Sequence, residues 1–305
     1  MSKLAEHIAM VMGDPKTTRF AGKSIQANCA SIFADFSIKM GAGLVSACLP
    51  VSYVLLVHLF DRNGTDRNDP KSIQRRFQGA LLSNIISIAV TAYYLLEYTS
   101  TPYREMGLRW DQCREAIVYP FILMNAFYLG QFALQYIDRT LWHYFDYYEW
   151  KQCLGSWVWR RDIVVGPITE EIVFRACSST LMAHVYGARL TMLLNPIPFA
   201  ASHFHHIWDD QRRGHSLAHS ILQRGFQFVY TYLFGAFATW LQLTTRHALV
   251  PIIAHTICNA QGLPMWMEIA NYPKRRDRIT LYTAYTSGFV LFAYMLYTQH
   301  GMPTP

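Results

Sequence analysis

Residues 79–98 read GALLSNIISIAVTAYYLLEY, twenty residues with a single charge, Glu97, near the far end. A bilayer core about 30 Å thick is crossed by roughly 20 mostly apolar residues in a helix. This stretch has that length and that chemistry. Working outward, residues 41–60, 116–135 and 279–298 repeat the pattern. Four further apolar stretches, 163–186, 190–204, 217–241 and 247–264, depart from it, because they carry Glu170, Glu171, Arg175, His203, Arg224 and His255 inside otherwise apolar sequence. The hydropathy therefore predicts an all-α fold, a polytopic transmembrane helical bundle of about eight spans. It forms a single membrane domain over 1–305, in which the stretch 163–264 carries the ionisable residues.

Composition agrees. Of the 305 residues, 15% are charged, against about 25% in an ordinary soluble domain. The low charge and the 19 Tyr, 18 Phe and 8 Trp exclude a disordered chain. The net charge of +7 has no long basic run behind it, and its densest cluster, Lys274-Arg275-Arg276-Asp277-Arg278, precedes an apolar segment. That placement suits a membrane flank, with lipid rather than nucleic acid as the neighbour. The aromatics Trp142, Tyr144, Tyr147, Tyr148, Trp150, Trp157 and Trp159 form a belt-like stretch. Lys and Arg favour the loops 61–78, 136–162, 205–216 and 265–278 as the cytosolic ones under the positive-inside rule. The six Cys contain no CxxC pair, so they frame neither a zinc knuckle nor a disulfide scaffold. Gly41-Ala-Gly43 reads as a small-residue stripe for helix packing.

Ionisable residues within apolar spans are expensive and usually functional. In Gly166-Pro-Ile-Thr-Glu-Glu-Ile-Val-Phe-Arg175, the Gly-Pro pair suggests a helix start with Thr169 near the cap. Glu171 and Arg175 are spaced i,i+4 and can pair. Glu170 points roughly 100° away with no partner on its own helix, either as a general base or as a solvated carboxylate. In Phe199-Ala-Ala-Ser-His203-Phe-His205-His206, His203 is the deeper imidazole, while His205 and His206 suit a helix end or a metal. His255 and Asn259, again i,i+4, are two donors on one helix face, fit for an oxyanion hole or for gluing helices. Arg224 reads as snorkelling to an interface. Neither G-x-S-x-G, a P-loop nor a dinucleotide-binding glycine pattern occurs.

The order EExxxR, FxxxH, HxxxN over residues 163–264 resembles the type II CAAX prenyl endopeptidases, the Ras-converting enzymes, within the CAAX proteases and bacteriocin-processing membrane proteins. The resemblance implies an intramembrane endopeptidase of the endoplasmic reticulum that removes the last three residues from isoprenylated Cys-a-a-X proteins such as Ras-like small GTPases. It implies an active-site cavity within the membrane and no cofactor or metal. Glu170 with His203 would activate water, His255 with Asn259 would stabilise the oxyanion, and Glu171, Arg175 and Phe199 would support them. A zinc-dependent hydrolase using His203, His206, His255 and a Glu, and a non-catalytic scaffold of the same fold, are the alternatives.

Overall fold

The computed structural model describes residues 15–64, 66–205, 207, 210–211, 213–299 and 302, with the backbone alone described for 15–36 and 205. Among the described residues every regular element is helical. Three helices are long and apolar enough to cross a membrane. They are residues Ser37–Phe60 of α1 (Pro15–Phe60), α2 (Pro70–Leu95) and the helix closing the chain, Arg275–Thr298. Helices α3 (Cys113–Phe127) and α4 (Leu129–Ile137) together make a fourth candidate, bent by 60° at their junction. The outward faces of these helices are apolar: Leu44, Val51, Leu55, Leu81, Ile85, Phe121 and Phe289 are all exposed. A soluble protein rarely displays contiguous apolar surface on that scale, so this is the surface of a membrane protein.

The remaining elements do not meet that measure of length and apolarity together. A continuous helical stretch, α5, covers 157–186 and alternates α turns with π segments at Arg160–Val165 and Ile172–Ser179. Then come α6 (Ala188–Leu194), α7 (Pro196–Ala201), α8 (Leu217–Thr245) and α9 (Leu249–Gln261), with α10 as the last helix, Arg275–Thr298. At 1.5 Å per residue, α9 is only about 20 Å long. Helix α5 packs on α1 and α2, α7 on α8, and α9 on α3, α8 and α5. The expected small-residue stripe is borne out. A Cβ at Gly41 would press on Tyr94 of α2, and one at Gly43 would collide with the Tyr186 hydroxyl of α5. The belt residues Trp142, Tyr144, Tyr147, Tyr148 and Trp150 lie exposed in the connection before α5.

One core cluster joins α1, α2, α5 and α7 through Leu49, Tyr53, Leu95, Val173, Phe174 and Phe199. A second joins α3, α8 and α9 through Tyr119, Leu123, Leu241 and Val250. The acidic segment of α5 lies at the seam between them.

Candidate active site

The helix does not start at Gly166-Pro167 as the sequence suggested. It runs through them, and the π segment is what lets it do so. Gly166 N–H reaches back five residues to Arg161 O, and a Cβ at Gly166 would lie 2.7 Å from that carbonyl. Pro167 has no N–H to return to Ile163 or Asp162, the carbonyls four and five residues behind it. Both carbonyls are taken up by α9. The Thr256 hydroxyl donates to Ile163 O at 3.2 Å, and Asn259 Nδ2 donates to Asp162 O at 2.8 Å. Thr169 is accordingly not a cap. Its hydroxyl donates to Val165 O (2.8 Å) and accepts from the Tyr53 hydroxyl of α1 at 3.0 Å. Asn84 of α2 adds a bond from Nδ2 to Thr169 O (3.2 Å). Three helices thus hold the backbone around Glu170.

Glu171 and Arg175 pair as their spacing predicts, Oε1 to Nη1 at 3.0 Å, both fully buried. No local spacing marks the third member. His255 Nδ1 lies 2.7 Å from the same Oε1, across 84 residues of chain. The other ring nitrogen, Nε2, lies 4.0 Å from Glu170 Oε2. The imidazole therefore spans the two glutamates, held by the buried one and turned toward the other. The Glu170 side chain retains 30% of its exposure, against none for Glu171. Adjacent carboxylates thus occupy opposite environments, as the 100° helical offset requires.

Phe199 is the hub behind them. Its ring carries the Arg175 guanidinium at 4.4 Å and meets Phe174 at 5.1 Å, His203 at 5.8 Å and His255 at 6.0 Å, each edge to face. A buried cation over an aromatic face is favourable, and Gly235 of α8 leaves room for it, since a Cβ there would sit 3.1 Å from Nη2. His203 lies half-buried on the 3-10 turn Ser202–His205 that follows α7.

A cavity of about 1840 Å³ gathers these groups, lined by Glu170, Phe199, His203, His255 and Asn259. One wall is phenylalanine. Phe234 meets His255 at 5.1 Å and Phe237 at 6.5 Å, Phe237 meets Phe292 at 5.8 Å, and Phe292 meets Phe127 at 5.1 Å. The lining also includes Arg62, Arg67 and Arg213 from loops and Arg76 and Arg161 from helices. Arg224 does not snorkel as read from sequence. It grips Asp210 through two bonds of 2.6 and 2.7 Å. Among the described residues no three His, Cys, Asp or Glu side chains gather as a metal site, while His206, named in the zinc alternative, lies outside them.

Apolar helices thus surround a cavity at which a carboxylate and an imidazole meet. A family model described as Type II CAAX prenyl endopeptidase Rce1-like matches residues 152–261. The chain is 80% identical over 266 residues to CAAX prenyl protease 2 of Caenorhabditis elegans, covering 87% of this chain and 100% of that one. It is 30% identical to CAAX prenyl protease 2 of Homo sapiens over 275 residues, covering 84% of this chain and 82% of the relative. The plant relative of the same name, from Arabidopsis thaliana, is 29% identical over 63% of this chain and 68% of its own. No solved structure matches. The chain belongs to the family of type II CAAX prenyl endopeptidases.

Proposed function

We propose that this protein cuts isoprenylated proteins ending in Cys-a-a-X, such as Ras-like small GTPases, releasing the last three residues inside the membrane of the endoplasmic reticulum. The observation that carries the reading is the shared cavity. Glu170, His203, His255 and Asn259 line one space whose phenylalanine wall begins at the His255 ring. An isoprenyl chain gains about 0.8 kcal/mol per buried CH₂ in lipid, and an aromatic wall keeps most of that gain while the peptide end meets polar groups.

In this reading Glu170, with His203, takes a proton from water. The resulting hydroxide attacks the carbonyl carbon of the prenylated cysteine. His255, held at Nδ1 by Glu171, turns Nε2 to the oxyanion, and Asn259 donates its second amide hydrogen. Collapse of the intermediate breaks the C–N bond, and the proton held by Glu170 leaves with the amine of the tripeptide. Glu171, Arg175 and Phe199 position His255 and His203 without touching the reacting atoms. The shorter helices α6, α7 and α9 complete a bundle of about eight membrane segments, with the loops 61–78, 136–162, 205–216 and 265–278 on the cytosolic side. The test is incubation of membranes containing the protein with a farnesylated Cys-a-a-X peptide, followed by mass analysis. Loss of the three terminal residues is the expected result, and an intact peptide overturns the reading.

A further inference from the structure

The cavity is asymmetric in charge. Away from the phenylalanine wall it is lined by five arginines, Arg62, Arg67, Arg76, Arg161 and Arg213, against three aspartates, Asp61, Asp66 and Asp162. Several of these groups are committed to one another. Asp61 takes Ser72, Arg75 and Arg76. Arg161 grips Asp162 at 2.7 Å and also donates to Arg67 O (2.8 Å) and Asn68 Oδ1 (3.1 Å), which fastens the 61–69 loop to the start of α5. That fastened loop presents Arg62 exposed at the cavity, with no hydrogen bond or ion pair to any described residue. Arg213, from the loop before α8, is exposed at the same cavity in the same uncommitted state. Two uncommitted guanidinium groups lining one cavity are available to an anionic ligand.

We propose that Arg62, assisted by Arg213, binds the free α-carboxylate of the substrate's last residue and so fixes the cut three residues from the chain end. The inference rests on the endopeptidase reading above. Lengths fit it. Arg161, which anchors the Arg62 loop, precedes Glu170 by nine residues, at most about 13 Å along the helix, since the π segment rises less per residue than the 1.5 Å of an α turn. Three extended peptide residues cover about 10 Å, and an arginine side chain bridges the remainder. A carboxylate seated among the arginines thus leaves the prenylcysteine carbonyl at Glu170 and the isoprenyl chain on the phenylalanine wall. Positive charge also lies where it is needed, since the loops supplying Arg62 and Arg213 are those the Lys and Arg distribution assigns to the cytosolic side.

The test compares a farnesylated Cys-a-a-X peptide as free acid, as C-terminal amide, and lengthened by one residue, with the full-length protein in vesicles of fixed lipid composition. Charge-assisted contacts of this kind discriminate by about 10–100-fold. The wild type is expected to cut the acid that much better than the amide in kcat/KM, and to cut the lengthened peptide poorly. Arg62→Gln is expected to collapse the acid-to-amide ratio toward one while melting at the wild-type temperature, and Arg62→Lys to restore part of it. Equal cleavage of acid and amide by the wild type overturns the carboxylate site and leaves the endopeptidase reading standing. Cleavage of neither peptide overturns that reading and this inference with it. If Arg62→Gln slows acid and amide alike, in proportion to the anionic lipid present, the arginine serves the membrane surface and the proposal fails.

Discussion

Asp61 and Glu171 are two buried carboxylates, each joined to arginine, and they are built differently. Asp61, in the turn after α1, is saturated. It accepts from Ser72, from Nε and Nη2 of Arg75 and from Nε of Arg76. Burial pushes its carboxyl upward, yet the bonds from Ser72, Arg76 and Arg75 outweigh that and hold it below the ordinary range. Glu171 lies at the centre of the bundle and is left short. Among the described residues its Oε2 has no partner, and neither has Nε or Nη2 of Arg175. Its one engaged oxygen is shared between Arg175 and His255. A saturated cluster has only a structural task. An undersatisfied one beside a cavity keeps capacity for charge that moves, which is where a hydrolytic site would store it.

Four measurements press on this contrast, in falling order of effect. Glu170→Gln keeps size and hydrogen bonding but removes basicity, and is expected to cut turnover by about 10²–10⁴-fold with the melting temperature unchanged. Activity within about threefold of wild type would remove Glu170 from the base role. His255→Ala is expected to lower kcat by about 10²–10³-fold with little change in KM. Asn259→Ala should lower kcat similarly and also reduce stability, because it frees Asp162 O. A raised KM with unchanged kcat in both variants contradicts the oxyanion role.

Arg175→Met leaves Glu171 charged and buried, at a cost of about 3–5 kcal/mol in stability. The double variant Glu171→Gln, Arg175→Met should recover part of that loss, and thermal melts of the three proteins decide it. Asp61→Asn should cost about 1–3 kcal/mol and leave the acid peptide's kcat within a few-fold. Its pH dependence has a fixed sign. The folded carboxyl titrates below the unfolded one, so the contribution is fully present above about pH 4, the unfolded value. It disappears as pH falls through the lower folded value. The melting temperatures of wild type and Asp61→Asn should converge in acid; a gap that widens there would contradict the saturated cluster.

The parts of this arrangement that could be read from sequence are those governed by short spacing. Glu171 and Arg175 pair at i,i+4, and His255 and Asn259 share a face of α9 for the same reason. Apolar length found α1, α2 and α10. What escaped was set across the fold. The His255–Glu171 bond joins residues 84 apart, and no local pattern encodes it. The Gly-Pro pair pointed to a helix start because proline commonly occupies a first turn. Here a wide turn absorbs it, and the partners that make this affordable belong to α9. Arg224 was read alone, and Asp210, fourteen residues earlier, supplies the mate that an apolar window hides.

Pro167 also sets an order of events in synthesis. The carbonyls of Ile163 and Asp162 find their donors in Thr256 and Asn259, roughly 90 residues later in the chain. At about 5–20 residues per second, the ribosome leaves those two groups unclaimed for several seconds in apolar surroundings, where a bare carbonyl is costly. The segment bearing Glu170 cannot settle until α9 arrives beside it. The same docking delivers His255 and Asn259. A half-made chain therefore lacks His255 and Asn259 beside Glu170, and under the proposed mechanism the protein becomes competent to cut only when α9, the short helix before the last, has been delivered.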